Sequence, residues 1–266
     1  MKINQKLINE ICQIAKTAAS RILEIYDTDF AIDSKKDRSP LTTADMAAHN
    51  TICTALATLT PDIPVISEES SELPYAERRQ WSRYWLVDPL DGTREFIKHN
   101  GEFTVNIALI ENHQSRMGVI YVPVTDVCYY AAKSLGAFKI NVDGSTESIK
   151  VKNSENNKIT LASSRSHGSE KQQAFIGQLG EAEIITIGSS LKFCLVAEGK
   201  VDIYPRFGLT SEWDTAAAQA IVEAAGGRVL DLDFQPLLYN QKDSLLNPEF
   251  LVVGDRKYDW QKHLLF

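Results

Sequence analysis

The sequence predicts a mixed α/β protein with a helical pair and an antiparallel sheet in its first half and an α/β arrangement in its second. Three observations favour this class. Apolar residues recur at three- and four-residue steps near the amino terminus, strand-like runs follow one another between residues 103 and 140, and strands alternate with helices beyond residue 158. With 266 residues the chain can form a large core. We expect one unit, 1–266, with approximate sub-domains 1–150 and 151–266.

The first half is expected to begin with helices and to continue with strands. Apolar periodicity, a threonine cap and short polar connections mark these elements. In order, we expect a helix over 3–26, a polar loop over 33–39, a helix capped by Thr42 or Thr43 and ending near Leu59, and strands over 64–67, 84–87, 103–110, 117–122, 128–132 and 137–140.

The second half is expected to follow a polar stretch at 141–158, which is the best boundary between the two halves. Glycines at 226 and 227 are expected to close its final helix. In order, we expect a strand over 159–162, a helix over 170–179, a strand over 184–187, and helices over 190–198 and 215–225.

The composition is that of a water-soluble globular protein, with 44% hydrophobic and 24% charged residues. A formal net charge of −7 argues against a nucleic-acid polymer as partner, because phosphate backbones require a basic surface. The amino terminus lacks the apolar run of a signal peptide, and no stretch is long and apolar enough to span a membrane. We therefore expect a cytoplasmic protein with no transmembrane segment; the sequence does not indicate its oligomeric state.

Four cysteines (Cys12, Cys53, Cys128 and Cys194) are far apart in the sequence, and no Cys-x-x-Cys pair is present. This spacing disfavours both a zinc site and a disulfide framework. Because each cysteine has apolar neighbours, we expect reduced thiols in the core.

The run Asp-Pro-Leu-Asp-Gly-Thr at 88–93 follows an apolar strand and is the most informative stretch of the chain. Its two carboxylates supply oxygen ligands of the kind that Mg²⁺ prefers, and the amides after a glycine turn can face a phosphate. Asp, Pro and Gly are also ordinary turn residues. The run alone therefore leaves a cation site and a plain turn as equal alternatives, and Thr93 could simply cap a short helix over 94–98.

Three further acids lie at the ends of predicted elements: Asp45 in the first turn of the second helix, Glu68 after a strand, and Asp214 before a helix. Ligands of α/β folds bind at such edges, so these acids could converge with Asp88 and Asp91. Taken singly, Asp45 and Asp214 are better explained by helix capping, and Glu68 by a solvated loop.

In combination, these residues resemble the inositol monophosphatase family of lithium-sensitive phosphomonoesterases. The chain has three stretches similar to the metal-binding motifs of that family, in the same order and separation: Glu68-Glu69, the run at 88–93, and Trp213-Asp214. The similarity extends over nearly the whole chain. It implies the fold of that family, a layered α-β-α-β-α sandwich.

Within this family, the chain is most similar to the CysQ-type 3′(2′),5′-bisphosphate nucleotidases. No metal position departs from the pattern. The similarity rests on Arg-Ser-Pro-Leu-Thr at 38–42, Arg-Glu-Phe-Ile-Lys at 94–98, Asn-Gly-Glu-Phe-Thr at 100–104, Ser-Arg-Ser-His at 164–167, Gly-Ser-Ser-Leu-Lys-Phe-Cys at 188–194 and Tyr-Pro-Arg-Phe-Gly at 204–208.

The resemblance implies a site for two Mg²⁺ ions. Glu68, Asp88 and the backbone carbonyl of Leu90 would hold one ion. Asp88 would bridge to the second ion, which Asp91 and Asp214 would share. Glu68 would also touch a third, weaker ion through water.

The resemblance also implies how the chemistry would be divided among the residues. The amides of Gly92 and Thr93 would hold the scissile phosphate, Asp45 would orient Thr93, and these two residues would act with Glu68 to activate a water on the metal. Two metal ions stabilise both the attacking and the leaving oxygen of an in-line displacement, and they lower the pKa of bound water. The lack of a well-placed histidine is therefore no objection.

The implied substrate is a small phosphorylated nucleotide, adenosine 3′,5′-bisphosphate, cleaved to AMP and phosphate, with 3′-phosphoadenylyl sulfate as a second substrate. Such a reaction would clear a by-product of sulfate assimilation. Ser189, Lys192 and Arg206 would contact the nucleotide, the last two near its non-scissile phosphate. From the residues alone, an exposed helix lysine and an arginine in a surface ion pair are equal alternatives. The full set of substrate contacts expected is Glu68, Leu90, Asp91, Gly92, Thr93, Ser189, Lys192, Arg206 and Asp214.

The sequence favours this function over three others. An inositol or fructose phosphatase would use the same scaffold and metals, but Lys192, Arg206 and the stretch 94–104 favour a nucleotide. A haloacid-dehalogenase-type phosphatase needs acids two positions apart, whereas Asp88 and Asp91 are three apart. A non-catalytic binding module is disfavoured because acids occupy every metal position. For location, the resemblance adds the cytoplasmic face of the inner membrane as an alternative.

Overall fold

The computed structural model describes residues 2–28, 32–34, 40–70, 73–152, 158–165 and 169–264. Most of the loop expected over 33–39 lies outside these residues. So do Arg38 and Ser39 of the stretch 38–42, and Ser166 and His167 of the stretch 164–167.

Two long helices, α1 (Gln5–Tyr26) and α2 (Thr43–Leu59), pack against each other. Asn4 begins α1, since its side-chain oxygen accepts the Leu7 amide at 3.0 Å. Thr42 caps α2, which confirms the expected helix start. Between them, β1 (Ile32–Ser34) and β2 (Pro40–Thr42) form an antiparallel pair. The expected loop was therefore wrong at its first two residues, which belong to β1.

A seven-stranded sheet carries the antiparallel order expected over 103–140. Only its first pair of strands is parallel, and the remaining neighbours are antiparallel. The strands are, in spatial order, β3 (Val65–Ser67), β4 (Arg83–Asp91), β5 (Thr104–Glu111), β6 (Gln114–Val122), β7 (Val127–Ala132), β8 (Gly136–Ile140) and β9 (Thr146–Ser148).

Both faces of this sheet are covered, as the side chains of β4 show. Trp85 and Val87 point into the core shared with α1 and α2, whereas Tyr84 and Leu86 point into a second core on the opposite face. Successive side chains of a strand alternate between faces, so a run that is apolar without interruption is buried on both sides.

A five-stranded sheet forms in the second half, with helices on both of its faces. The short strands at 203–206, 228–231 and 250–253 were not expected from the sequence. The strands are, in spatial order, β11 (Ala182–Ile187), β10 (Ile159–Ser164), β12 (Ile203–Arg206), β14 (Phe250–Val253) and β13 (Arg228–Asp231). The helices are α5 (Glu170–Leu179), α6 (Leu191–Ala197) and α7 (Glu212–Ala224), with single turns α3 (Tyr75–Arg78) and α4 (Thr93–Ile97) in the first half and 3-10 turns at Pro123–Thr125 and Gln261–His263.

The layers follow the order helix, sheet, helix, sheet, helix. α1 and α2 cover one face of the large sheet, α6 and α7 lie in the core between the two sheets, and α5 covers the outer face of the small sheet through Phe175. This arrangement confirms the α-β-α-β-α sandwich.

α7 lies so close to the large sheet that backbone meets backbone. A Cβ atom on Gly118 of β6 would come within 2.1 Å of the Ala217 carbonyl oxygen. The Ser115 hydroxyl donates to the Ala216 carbonyl at 2.6 Å in the same contact. Only glycine can occupy position 118, and α7 is thereby fixed against a sheet built by the other half of the chain.

The polar stretch 141–158 contains β9, which completes the large sheet. The division near residue 150 stays a prediction.

Among the described residues, no helix has the length and apolar character to cross a membrane. All four cysteines are free thiols; Cys128 and Cys194 are buried as expected, whereas Cys12 and Cys53 are partly exposed.

Candidate active site

The two acids of the run 88–93 lie within β4 rather than after it. Asp88 pairs with Asn106 and Asp91 with Thr104, and the register of the two strands shifts between these pairs. Pro89 lies in the shift and has no amide hydrogen to donate to the neighbouring strand. The Leu90 amide instead donates to the Asp88 carboxylate at 3.0 Å. The irregularity lies at the carboxyl end of β4, so both acids are found at that end of the strand.

Asp214 completes a cluster of carboxylates from both halves of the chain. Oxygen atoms of Asp88, Asp91 and Asp214 all lie within 4.8 Å of one another. Asp214 reaches the cluster because α7 lies directly on the large sheet. Among the described residues, these three form the group of side chains whose ligand atoms lie close enough together to hold a metal ion.

Glu68 lies beside this cluster, directly after β3. Its amide donates to the Val87 carbonyl at 3.1 Å, which places the residue next to the end of β4. Its carboxylate interacts with Asp88 and lines the adjoining cavity. The alternative of an acid alone in a solvated loop is therefore wrong.

Burial and mutual repulsion raise the pKa of every carboxyl in the cluster. The pKa of Asp88 is well above its usual value, first because the group is buried and second because Glu68, Asp91 and Asp214 carry the same charge. Burial, followed by Asp91 and Glu68, raises the pKa of Asp214 to about 8. Burial likewise raises the pKa of Asp91, although Lys192 opposes this effect.

A divalent cation fits this cluster on chemical grounds. Its donors are oxygens, as hard cations require, and a positive ion would relieve the repulsion that raises these pKa values. The Leu90 carbonyl, expected as a further ligand, lies 3.4 Å from the Thr93 hydroxyl, and its role as a ligand stays a prediction.

Asp45 caps α2 and also contacts Thr93; its role in catalysis stays a prediction. One carboxylate oxygen accepts the Thr42 amide at 2.7 Å and the Thr42 hydroxyl at 2.6 Å, which caps α2. The other oxygen accepts the Thr93 hydroxyl at 3.2 Å. The side chain is only 1% exposed, so it is fixed on both sides.

Asp214 has the same double arrangement at the start of α7. One of its oxygens accepts the Ser211 amide at 2.8 Å in a capping box. Capping and cluster membership are therefore compatible, because a carboxylate has two oxygens.

The turn between the cluster and α4 depends on glycine. Gly92 has φ +96°, a left-handed conformation that other residues adopt only at a cost. A Cβ atom there would come within 3.1 Å of the Glu102 carbonyl oxygen. The helix begins at Thr93 with Gly92 as its cap residue, so the alternative in which Thr93 caps a helix starting at residue 94 was wrong.

Asp91 is held by two residues that sequence reasoning missed. Its Oδ2 accepts the Ser190 amide at 2.6 Å and the Asn106 side-chain amide at 3.2 Å. Asn106 also accepts from the hydroxyls of Ser190, at 3.0 Å, and Thr104, at 3.1 Å. Asn106 could have been found, because it is the one amide side chain in a strand that is mostly apolar. The role of Ser190 depends on a backbone contact that no sequence pattern reveals.

Lys192 is not an exposed helix lysine, so that alternative is wrong. Only 5% of the residue is exposed, and its ammonium donates to the Ser189 carbonyl at 2.6 Å. The ammonium also lies 5.3 Å from the centre of the Tyr204 ring. Burial lowers the pKa of Lys192 to about 8, although the charge of Asp91 opposes that shift.

Arg206 and Ser189 line the same cavity as Lys192. The Arg206 guanidinium donates to the Thr210 hydroxyl and the Leu209 carbonyl, both at 2.7 Å, which fixes it against its own loop. Among the residues that the structure describes, none forms a hydrogen bond with the Ser189 hydroxyl, although Ser189 is only 9% exposed. An unpaired buried hydroxyl in a cavity wall can bind a ligand at little cost.

The cavity joins the two sets of residues. Its volume is about 430 Å³, and its wall contains Glu68, Asp91, Gly92, Thr93 and Asp214 together with Ser189, Lys192 and Arg206. Asp88 lies behind this wall, and so does Asp45, both at 1% exposure. The wall of one cavity therefore combines the carboxylates with two cationic side chains.

Comparisons with known proteins identify relatives of this chain. Residues 3–262 match the inositol monophosphatase family. The 3′(2′),5′-bisphosphate nucleotidase CysQ of Escherichia coli strain K12 is 48% identical over 248 residues, which cover 92% of this chain and 99% of that protein. The crystal structure of CysQ from Bacteroides thetaiotaomicron is 42% identical, with a TM-score of 0.82 over 94% of this chain and 98% of that one.

A more distant solved structure shares the fold. An IMPase/NADP phosphatase complexed with Mg²⁺ and phosphate has a TM-score of 0.80 at 19% identity, over 98% of this chain and 94% of that one. The match to the family extends from α1 to the last turn of the structure and includes every carboxylate of the cluster. The chain therefore belongs to the inositol monophosphatase family.

Proposed function

We propose that this protein is a magnesium-dependent phosphomonoesterase that converts adenosine 3′,5′-bisphosphate to AMP and phosphate. Relatives of 48% and 42% identity carry the name CysQ, the first as a 3′(2′),5′-bisphosphate nucleotidase. 3′-Phosphoadenylyl sulfate, which also carries a 3′-phosphate and a second anionic group, is the proposed second substrate.

One observation carries the choice of a bisphosphate: the buried ammonium of Lys192 lies in the same cavity as the carboxylate cluster. A buried lysine charge is costly, and a second phosphate would compensate it. Arg206 adds a second cation on that wall. An inositol monophosphate has only the scissile phosphate, so it would bring no second anion to these two cations.

The carboxylate cluster at the cavity is the proposed site of Mg²⁺. Glu68, Asp88, Asp91, Asp214 and the Leu90 carbonyl would hold two ions, with a third, weaker one near Glu68. When bound, the ions would neutralise phosphate charge and activate water for an in-line displacement. A distant relative of the same fold was solved with Mg²⁺ and phosphate, which supports this cofactor.

The protein's own residues would orient the reactants. Because Thr93 donates its hydroxyl proton to Asp45, its oxygen is left as an acceptor for a proton of the attacking water. Glu68 would assist at the same water, and the amides of Gly92 and Thr93 would hold the scissile phosphate. Asp91 keeps a fixed position because the Ser190 amide and Asn106 bind one of its oxygens. Ser189, Lys192 and Arg206 would bind the remainder of the nucleotide.

A direct comparison of substrates tests the proposal. Phosphate release should be measured for adenosine 3′,5′-bisphosphate, inositol 1-phosphate and fructose 1,6-bisphosphate, each with Mg²⁺ and with EDTA. We expect the highest kcat/KM for the nucleotide with Mg²⁺ and no phosphate release from any substrate in EDTA. A higher kcat/KM for either sugar phosphate would contradict the proposed substrate.

Three further properties belong to the same proposal. We propose inhibition by lithium, a role in removing a by-product of sulfate assimilation, and a cytoplasmic location that includes the inner face of the membrane as a peripheral site. Adding lithium to the assay above checks the first, and fractionation of cells checks the last.

A further inference from the structure

Three segments that carry the sequence similarity, at 100–104, 164–167 and 188–194, meet at Glu102. The Glu102 carboxylate accepts the Gly188 amide at 2.8 Å. It also accepts two hydrogen bonds from Arg165, at 3.0 Å from Nε and 2.6 Å from Nη2. Arg165 in turn donates to the Thr186 carbonyl at 3.2 Å. One carboxylate thus joins the start of β5 to the ends of β10 and β11.

The backbone of Glu102 lies between two turns of the active site. A Cβ atom on Gly92 would come within 3.1 Å of the Glu102 carbonyl oxygen, and one on Gly188 within 2.8 Å of the same oxygen. Gly92 belongs to the turn that would hold the scissile phosphate. Gly188 begins the turn that contains Ser189 and leads to Lys192. Glu102 therefore acts as a spacer in contact with both turns.

The turn at 188–190 needs to be held in place. Ser189 has φ +45°, which is uncommon for a residue with a side chain. Its carbonyl accepts the Lys192 ammonium, and the next amide, from Ser190, binds Asp91. A small shift of this turn would move Ser189 and Lys192 relative to the carboxylate cluster.

We infer that Glu102, together with Arg165, is a positioning residue that sets the distance between the binding sites for the two phosphates of the substrate. This inference rests on the proposed function. The Glu102 carboxylate binds the turn at Gly188, its carbonyl oxygen packs against the turn at Gly92, and Arg165 aligns the carboxylate. Substrates with one phosphate need only the Gly92 turn, whereas substrates with two need both turns at the correct separation.

The test is a comparison of two esters in four variants. Adenosine 3′,5′-bisphosphate carries both phosphates, and adenosine 3′-phosphate lacks the second one. For Glu102→Ala, we expect kcat/KM to fall about tenfold for the bisphosphate and about twofold for the monophosphate, mostly through KM. Glu102→Gln keeps an oxygen for the Gly188 amide and should recover most of the loss. Arg165→Gln should give an intermediate loss and remains informative if Glu102→Ala does not fold.

The matched control is Glu249→Gln, which breaks the ion pair of Glu249 and Lys171 at 2.7 Å outside the cavity and should change neither ester. Equal losses on both esters, or no loss on either, would overturn the positioning role. The unmodified protein gives the separate control on substrate class. If it does not prefer the bisphosphate, the proposed function fails as well, and this result is distinguishable because it appears before any substitution is made.

Discussion

Replacing Lys192 by methionine should make the protein more stable while it damages the binding of the nucleotide. The ammonium is 5% exposed, and burial lowers its pKa from 10.5 to about 8. This difference corresponds to roughly 3 kcal/mol of unfavourable free energy for the charged form in the folded state. Methionine has a similar shape and no charge, so it removes that cost.

The gain is partly offset by a lost contact. The Ser189 carbonyl accepts the ammonium at 2.6 Å and would lose this partner, at a cost of about 1 kcal/mol. The free energy of unfolding at pH 7 should therefore rise by about 2 kcal/mol. The variant should still lose at least about tenfold in kcat/KM for the bisphosphate, because the second phosphate loses a charged partner.

The free energy of unfolding should also depend on pH through the ionisation of Lys192. The pKa of Lys192 is lower in the folded protein than in the unfolded chain, so the unfolded chain binds the proton more tightly. The stability of the unmodified protein should therefore rise between about pH 8 and pH 10.5, and the advantage of the variant should shrink over that range.

Urea unfolding in EDTA at pH 7 and pH 10 measures both effects. Lys171→Met on α5 is the matched control, since Lys171 is half-exposed in a surface ion pair and its loss should change stability by less than about 0.5 kcal/mol at either pH. If Lys192→Met is less stable than the unmodified protein at pH 7, the buried ammonium of Lys192 does not destabilise the folded state, and the reasoning is refuted.

Three other outcomes are expected. Asp88→Asn should abolish turnover, because the proposed bridging ligand is lost, and near-normal phosphate release would refute the two-metal assignment. Calorimetric titrations should show that the apparent affinity for Mg²⁺ rises about tenfold from pH 6.5 to pH 7.5. The reason is that the ion must displace a proton from Asp214, whose pKa is about 8. An affinity that is constant over this range would contradict the assignment of Asp214 as a ligand. Thr93→Val should lower kcat while the circular dichroism spectrum stays unchanged. Thr93→Ser should retain activity, because it keeps the hydroxyl that donates a hydrogen bond to Asp45. Equal rates in the two variants would show that this hydroxyl has no part in the mechanism.

Strong periodicity made most of the fold predictable. The helix over 5–26 and the antiparallel strands between 104 and 140 have long patterns in which apolar residues repeat at helix or strand spacing. The strands at 203–206, 228–231 and 250–253 are four residues each, which is too short for a pattern to be recognised. Their pairing joins distant segments, and a local pattern contains no information about that pairing.

The site was predictable as a set of residue types and not as a geometry. The carboxylates at Asp45 and Asp214 had an adequate local explanation in helix capping, and the structure shows that this explanation is correct and incomplete. Only the folded structure shows that the second oxygen of Asp45 accepts from Thr93, and that Asp214 lies next to Asp88. The burial of Lys192 was also hidden, because its neighbours in sequence do not show that α6 lies between two sheets.

The contact between Gly118 and α7 has a consequence for synthesis on the ribosome. The face of the large sheet that carries Tyr84 and Leu86 is covered by α7, which begins roughly sixty residues after that sheet ends. At about 5–20 residues per second, this apolar face is left open to solvent for several seconds while the nascent chain grows. A chain that stalls in this interval would expose this apolar surface to chaperones and proteases. Slow codons between β9 and α7 should therefore lower the yield of folded protein.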